Sequence, residues 1–113
     1  MDLNLAILSG HLAATPEHRS FSSGSSLLRF LVTIRSTTPR RRVDVIPVTW
    51  WDPDPEAVAG AYESGQPIWV CGSVQRRFWS TDDGRRSRIE IIAHDVQFRR
   101  DELITAENDS SAA

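Results

Sequence analysis

The 113-residue sequence lacks lysine, a second cysteine and long apolar runs. Its only cysteine, Cys71, excludes an internal disulfide, and we interpret it as a small buried strand residue of a cytoplasmic protein. No apolar run approaches the roughly 18 residues that a membrane-spanning helix needs, so we expect no membrane association. The N-terminal residues have no basic segment ahead of their apolar stretch, which argues against a secretory signal.

Because lysine is absent, all 13 basic residues are arginines. A GC-rich genome is sufficient to explain that bias. Arginine, however, also stacks on planar rings and binds phosphate through two parallel hydrogen bonds, which lysine does not. Four of the 15 acidic residues lie in residues 101–113, which contain no base, so residues 1–100 have 13 basic and 11 acidic side chains and a charge of +2. We expect one folded domain over residues 1–100 and a short, acidic, disordered tail over 101–113.

Hydrophobic periodicity predicts a β-rich chain with one helix. The helix follows Asp54, has Pro55 in its first turn and ends at Gly65. A first strand that bends at Gly10, and a helix between the third and fourth strands, predict an all-β, five-stranded Greek-key barrel of the OB type. A small sandwich with one inserted helix is also compatible with this pattern. The predicted strands cover residues 3–14, 27–35, 43–51, 68–74 and 86–94.

The segment QRRFWSTDDGRRSRIE, residues 75–90, combines two aromatic residues with five arginines around a polar turn. Side chains alternate along a strand, so Phe78 and Trp79 point to opposite faces and one of them faces outward. An outward aromatic among arginines is typical of a surface that stacks the bases of single-stranded nucleic acid and contacts its phosphates. Alternatively, the arginines only solubilise the hairpin, and Trp79 caps the barrel or contacts another subunit. We interpret Phe78 as a packing residue. The arginines concerned are Arg76, Arg77, Arg85, Arg86 and Arg88.

Three further tryptophans lie outside this hairpin. Trp50 and Trp51 are adjacent on one strand, so at most one belongs to the core, and we assign Trp50 to the core or an interface. Trp69 lies in a buried apolar run, which favours packing or a subunit contact. More arginines lie on the outward side of the second strand and in the loop after it: Arg29, Arg35, Arg40, Arg41 and Arg42.

Enzymatic and metal-binding patterns find little support. His11, His18 and His94 share no ligand spacing with Cys71, and a zinc site would need a second cysteine or an equivalent ligand. The acidic residues between positions 52 and 63 follow the spacing of a calcium loop, but Ala57 occupies the position that requires glycine. We therefore expect no catalysis, no metal and no cofactor.

Several segments together resemble bacterial single-stranded DNA-binding proteins over roughly residues 3 to 100. They are NLAILSGHL (4–12), LRFLV (28–32), VCGSVQRR (70–77), the turn from Trp79 to Gly84, and DVQF (95–98). The resemblance implies an OB-fold that binds single-stranded DNA with little sequence preference, in replication, recombination or repair. It also implies a cytoplasmic, nucleoid-associated protein that forms a homotetramer, with a dimer as the alternative.

The resemblance assigns base stacking to Trp79 and, counting from Asp44, to Trp51. Val45 stands where the family often has an aromatic residue, and the acidic tip ending in phenylalanine is missing. We therefore expect a short paralogue that does not recruit other proteins through such a tip. An assembly subunit that acts through protein contacts, with weak nucleic-acid affinity, is the alternative. The predicted DNA-binding residues are Trp51, Trp79, Arg29, Arg35, Arg40, Arg41, Arg42, Arg76, Arg77, Arg85, Arg86 and Arg88.

Overall fold

The structure, a computed structural model, describes residues 1–99. The predicted acidic tail over residues 101–113 lies outside this part of the chain. Within it, six strands and one short helix follow one another. They are β1 (Ala6–Leu12), β2 (Glu17–Ser20), β3 (Ser26–Ser36), β4 (Arg42–Trp51), α1 (Pro55–Ala59), β5 (Pro67–Thr81) and β6 (Gly84–Phe98).

The strands form one closed sheet. Its order is β1-β5-β6-β4-β3-β2, and an additional pairing of β1 with β3 closes the barrel. β1 pairs with β5 along its length, and His11 at its end also pairs with Thr33 of β3. Gly10 permits this change of partner, because a Cβ atom there would collide with the carbonyl oxygen of Thr33. The all-β OB-type barrel is confirmed, and the sandwich alternative is wrong.

Alternation along the strands fills the barrel interior. On β3 the residues Leu28, Phe30 and Val32 are buried, and on β4 Val48 and Trp50 are buried beside them. Hydrophobic burial of this kind contributes about 1.5–3 kcal/mol per large side chain and is the main stabilisation of the fold. Trp50 therefore belongs to the core, as predicted.

One end of the barrel is closed by aromatic stacking. The ring of Tyr62 stacks on Phe98 with a centroid distance of 3.8 Å and an interplanar angle of 14°. Phe98 in turn contacts Phe30 of the core at 5.9 Å. Trp69 is half-buried. This packing anchors the segment between the helix and β5 to the barrel.

The helix is shorter than the sequence predicts. It spans only Pro55–Ala59, and Asp54 occupies the N-cap position without a side-chain capping hydrogen bond. The apolar residues 58–62 suggested a longer helix, but Gly60 is already extended, with φ −68° and ψ 149°. The prediction missed β2 as well, because all four of its residues are exposed and it has no apolar face.

β5 and β6 extend well past the barrel. They pair up to the Thr81–Gly84 turn, with one register shift between Cys71 and Gly72, whereas β1 pairs with β5 only as far as Gly72. The side chain of Asn4 adds one step to that ladder: its Oδ1 accepts from the Val74 amide at 2.8 Å, and its Nδ2 donates to the Val74 carbonyl at 2.7 Å. We call residues 75–90 the hairpin arm.

Candidate nucleic-acid interface

The outward sides of β3 and β4 form the first half of the candidate site. Leu27 lies opposite Trp51 and Arg29 lies opposite Thr49, so these four side chains share the outer face. Trp51 is 48% exposed. Its ring lies 5.8 Å from that of Phe21, at an angle of 31°. This end of the face therefore presents two neighbouring aromatic rings.

One side of the hairpin arm forms the second half. Trp79 lies opposite Arg86, and Arg77 lies opposite Arg88, so all four side chains project to the same side. Trp79 is 39% exposed. The guanidinium carbon of Arg77 lies 5.9 Å from the centroid of its ring, within the range of a cation–π contact. The prediction that an aromatic residue faces outward here is confirmed.

A buried hydrogen bond joins the two halves. The Thr49 hydroxyl on β4 donates to the Glu90 carboxylate on β6, with Oγ1 and Oε2 3.0 Å apart. Both residues are almost completely buried. Thr49 shares the outer face with Trp51, and Glu90 projects to the same side of the arm as Trp79. Trp51 and Trp79 therefore belong to one continuous surface, the outer face.

Positive charge concentrates around Arg29 at the middle of this face. Burial, followed by the charges of Arg77 and Arg19, lowers the pKa of Arg29, while Glu90 acts in the opposite direction. The Nε atom of Arg29 is buried and has no hydrogen-bond partner among residues 1–99. In this part of the chain the ion pairs are Arg19–Glu17 and Arg42–Asp44, so Arg29 and Arg77 face no carboxylate at ion-pair distance. The cluster thus favours an external anion.

The structure divides the five arginines of the arm between two sides. Arg77, Arg86 and Arg88 share the side of Trp79, whereas Arg76 and Arg85 share the side of Phe78. Phe78 is 52% exposed, more than Trp79. The interpretation of Phe78 as a packing residue is therefore wrong, because the arm reaches beyond the barrel and has no interior.

The arginines near the β3–β4 turn are arranged unevenly. Arg35 lies opposite Val43 and so belongs to the outer face. Arg42 donates from Nε to Asp44 at 3.0 Å and is already paired. The loop arginines Arg40 and Arg41 are exposed.

The end of the outer face near the β3–β4 turn is aliphatic instead of aromatic. Leu31, Val43 and Val45 are all exposed and project outward from β3 and β4. Val45 thus lies on the candidate surface, at the position where the sequence resemblance placed an aromatic residue. The stacking platforms concentrate at the other end of the face, around Trp51 and Trp79.

The sequence reasoning missed two residues of the outer face. Arg19 lies opposite Leu27, on the same side as Arg29, and donates to Glu17 at 2.7 Å. Phe21 reaches Trp51 from the turn after β2. Both follow Pro16 in a polar stretch without periodicity, and the pairing of β2 with β3 is what places Arg19 on this face. The aromatic residue of the turn was the one available signal.

Other chemistry has less support in the described part of the chain. Residues 1–99 contain no group of three or more histidine, cysteine, aspartate or glutamate residues that could hold a metal ion. A cavity of about 870 Å³ beside α1 has Asp54, Glu56 and Glu63 in its wall, which does not suit a polyanion. None of the helices in residues 1–99 is long and apolar enough to cross a membrane.

An OB barrel with exposed aromatic rings and unpaired arginines on one face is typical of proteins that bind single-stranded nucleic acid. Residues 3–99 match the single-strand binding protein family, so the chain belongs to that family.

Individual relatives agree with this assignment. The chain is 32% identical over 101 residues to the single-stranded DNA-binding protein of Caldanaerobacter subterraneus subsp. tengcongensis, covering 85% of this chain and 67% of the relative. It is 29% identical over 102 residues to single-stranded DNA-binding protein 1 of Clostridium acetobutylicum, covering 85% and 93%. It is 30% identical over 101 residues to single-stranded DNA-binding protein 2 of Listeria monocytogenes, covering 85% and 63%.

Proposed function

We propose that this protein binds single-stranded DNA with little sequence preference and acts in replication, recombination or repair. The observation that carries the proposal is the outer face, where exposed Trp51 and Trp79 flank Arg29 and Arg77, which face no carboxylate at ion-pair distance within residues 1–99. Membership of the single-strand binding protein family and the names of the relatives support it.

The binding mechanism combines stacking with charge neutralisation. Bases stack on Trp51 and Trp79, and each stacked base contributes about 1–3 kcal/mol whatever its identity, because every base has a π-face. The guanidinium groups of Arg29, Arg77 and Arg88 contact phosphates as the strand crosses between the two rings. Affinity then falls with salt, with a log–log slope of roughly −0.7 for each phosphate neutralised.

A tryptophan-fluorescence titration with oligo(dT) tests this function. Trp50 is buried and Trp69 half-buried, so quenching reports mainly on Trp51 and Trp79. We expect saturable quenching that weakens with salt, and a loss of about 1–3 kcal/mol in binding free energy for Trp79→Ala.

Trp69→Phe is the control, because it removes one indole ten residues from Trp79 along β5, about 33 Å away, and should leave the affinity unchanged. No binding to oligo(dT) at low salt would refute the function and leave the assembly-subunit alternative. Unchanged affinity for Trp79→Ala would remove Trp79 from the site.

We also propose that the protein forms a homo-oligomer in the cytoplasm, a tetramer or a dimer, as expected for the family. The support is an exposed apolar stretch at the N-terminal end, where Leu3, Leu5 and Ile7 lie open to solvent. Sedimentation of the wild type and of Ile7→Glu checks it, since a monomeric wild type contradicts the proposal.

A further inference from the structure

The hairpin arm has a second side that the outer face does not use. Phe78, Arg76 and Arg85 project away from Trp79, because they alternate with the residues of the outer face along the two strands. Ile89 lies opposite Arg76 and is 50% exposed. We call the side formed by these four residues the back face of the arm.

The back face repeats the chemistry of the outer face. The guanidinium carbon of Arg85 lies 4.6 Å above the centroid of the Phe78 ring. Arg76 donates from Nη1 to the hydroxyl of Ser87 at 3.1 Å, which holds its guanidinium on the same side. An exposed ring with two cations beside it is suited to one base and its neighbouring phosphates.

We propose that the back face is a second contact for single-stranded DNA, used by a strand that continues past Trp79 around the arm. The inference rests on the proposed function, since it extends the same strand from one side of the hairpin to the other. Phe78 stacks a base, and Arg76 and Arg85 contact the phosphates next to it.

Charge favours DNA over a second copy of the chain as the occupant. The four residues of the back face include two arginines and no carboxylate; Glu90 projects to the other side of the arm, and Asp82 and Asp83 lie in the turn at its tip. A symmetric contact between two copies would place the same patch against itself and bring four guanidinium groups together. An extended polyanion neutralises the two cations instead.

Neighbouring residues on opposite faces supply matched variants. Phe78→Ala and Trp79→Ala remove adjacent rings, and Arg85→Gln and Arg86→Gln remove adjacent charges. Each variant is titrated with an oligo(dT) of about 8 nucleotides, enough for one face, and with one of about 35 nucleotides, well beyond the span of one OB fold. Thermal unfolding and sedimentation of each variant report on folding and assembly.

With the short oligonucleotide we expect Trp79→Ala and Arg86→Gln to bind more weakly, and Phe78→Ala and Arg85→Gln to match the wild type. With the long oligonucleotide we expect all four to bind more weakly, with Phe78→Ala losing about fivefold or more. A Phe78→Trp variant should show extra quenching with the long oligonucleotide only.

Wild-type affinity of Phe78→Ala and Arg85→Gln for the long oligonucleotide would overturn the inference while leaving the proposed function intact. A change of sedimenting mass in Phe78→Ala, without loss of DNA affinity per subunit, would also overturn it and assign the back face to protein contact. Failure of the proposed function itself would look different, because the wild type would then not bind even the short oligonucleotide.

Discussion

The chain has two pairs of adjacent aromatic residues, and the structure treats them differently. In the β4 pair, Trp50 is buried at 8% exposure and Trp51 is 48% exposed. In the arm, both Phe78 and Trp79 are exposed. Alternation decides only that neighbours point to opposite sides. Whether either side is an interior depends on what covers it, and nothing within residues 1–99 covers the arm.

The β4 pair provides the largest expected effect. Trp50→Ala should lower the free energy of unfolding by about 3–5 kcal/mol, because it leaves a cavity in the core. Trp51→Ala should lower it by less, because about half of its side chain is exposed and its contact with Phe21 contributes about 0.5–1.5 kcal/mol. Urea denaturation measures both values.

DNA binding should reverse that order. Trp51→Ala should lose about 1–3 kcal/mol of binding free energy, while a folded Trp50→Phe variant should bind as the wild type does. Equal losses of stability in Trp50→Ala and Trp51→Ala would contradict the division of the pair into a core side and a DNA side.

The link between the barrel and the arm provides an intermediate effect. Thr49→Val removes the donor to Glu90 and leaves a buried carboxylate oxygen without that hydrogen bond, so we expect a loss of about 1–3 kcal/mol in stability. Thr33→Val is the control, since Thr33 is an outward residue of the neighbouring strand, and it should change stability by less than about 0.5 kcal/mol. A similar loss in both variants would show that the hydrogen bond contributes nothing specific.

The exposed ion pair beside the outer face provides the smallest effect. Glu17→Gln frees Arg19, so DNA affinity should rise at low salt and the log–log salt slope should steepen by up to about 0.7. Glu56→Gln on α1 removes the same charge elsewhere and should leave the slope unchanged. Equal slopes in both variants would exclude Arg19 from the DNA contacts.

The same ion pair has a pH dependence with a defined sign. The hydrogen bond from Arg19, and then its charge, lower the pKa of Glu17 in the folded protein. Its small contribution to stability is therefore present above the usual glutamate pKa and disappears as the pH falls through the lowered value. In Glu17→Gln the acid limb of the stability profile should be correspondingly flatter, as measured by denaturation between pH 3 and 6.

The sequence predicted the barrel because a bend at Gly10 in the first strand and a helix between the third and fourth strands are typical of the OB type, and because apolar alternation on β3 is clean. It predicted Trp51 and Trp79 through family resemblance, and the structure places both on one exposed face. Alternation along the first strand of the arm already separates Arg76 from Arg77, but the side on which Arg85 lies could not be predicted, because it requires the register of β5 with β6. Long-range contacts such as that between Thr49 and Glu90 have no local sequence signal at all.

The narrow junction between β4 and β6 has a dynamic consequence. Their parallel pairing includes only Val48 with Ile91 and Thr49 with Ile92, as few residue pairs as the closure between β1 and β3. Backbone amides along such a junction exchange with solvent through local opening, at a lower free energy than global unfolding. The outer face spans the junction, with Trp51 on one side and Trp79 on the other. A bound DNA strand contacts both sides of this junction and should suppress its local opening. Hydrogen exchange at the amides of Ile91 and Ile92 should therefore slow when DNA is bound.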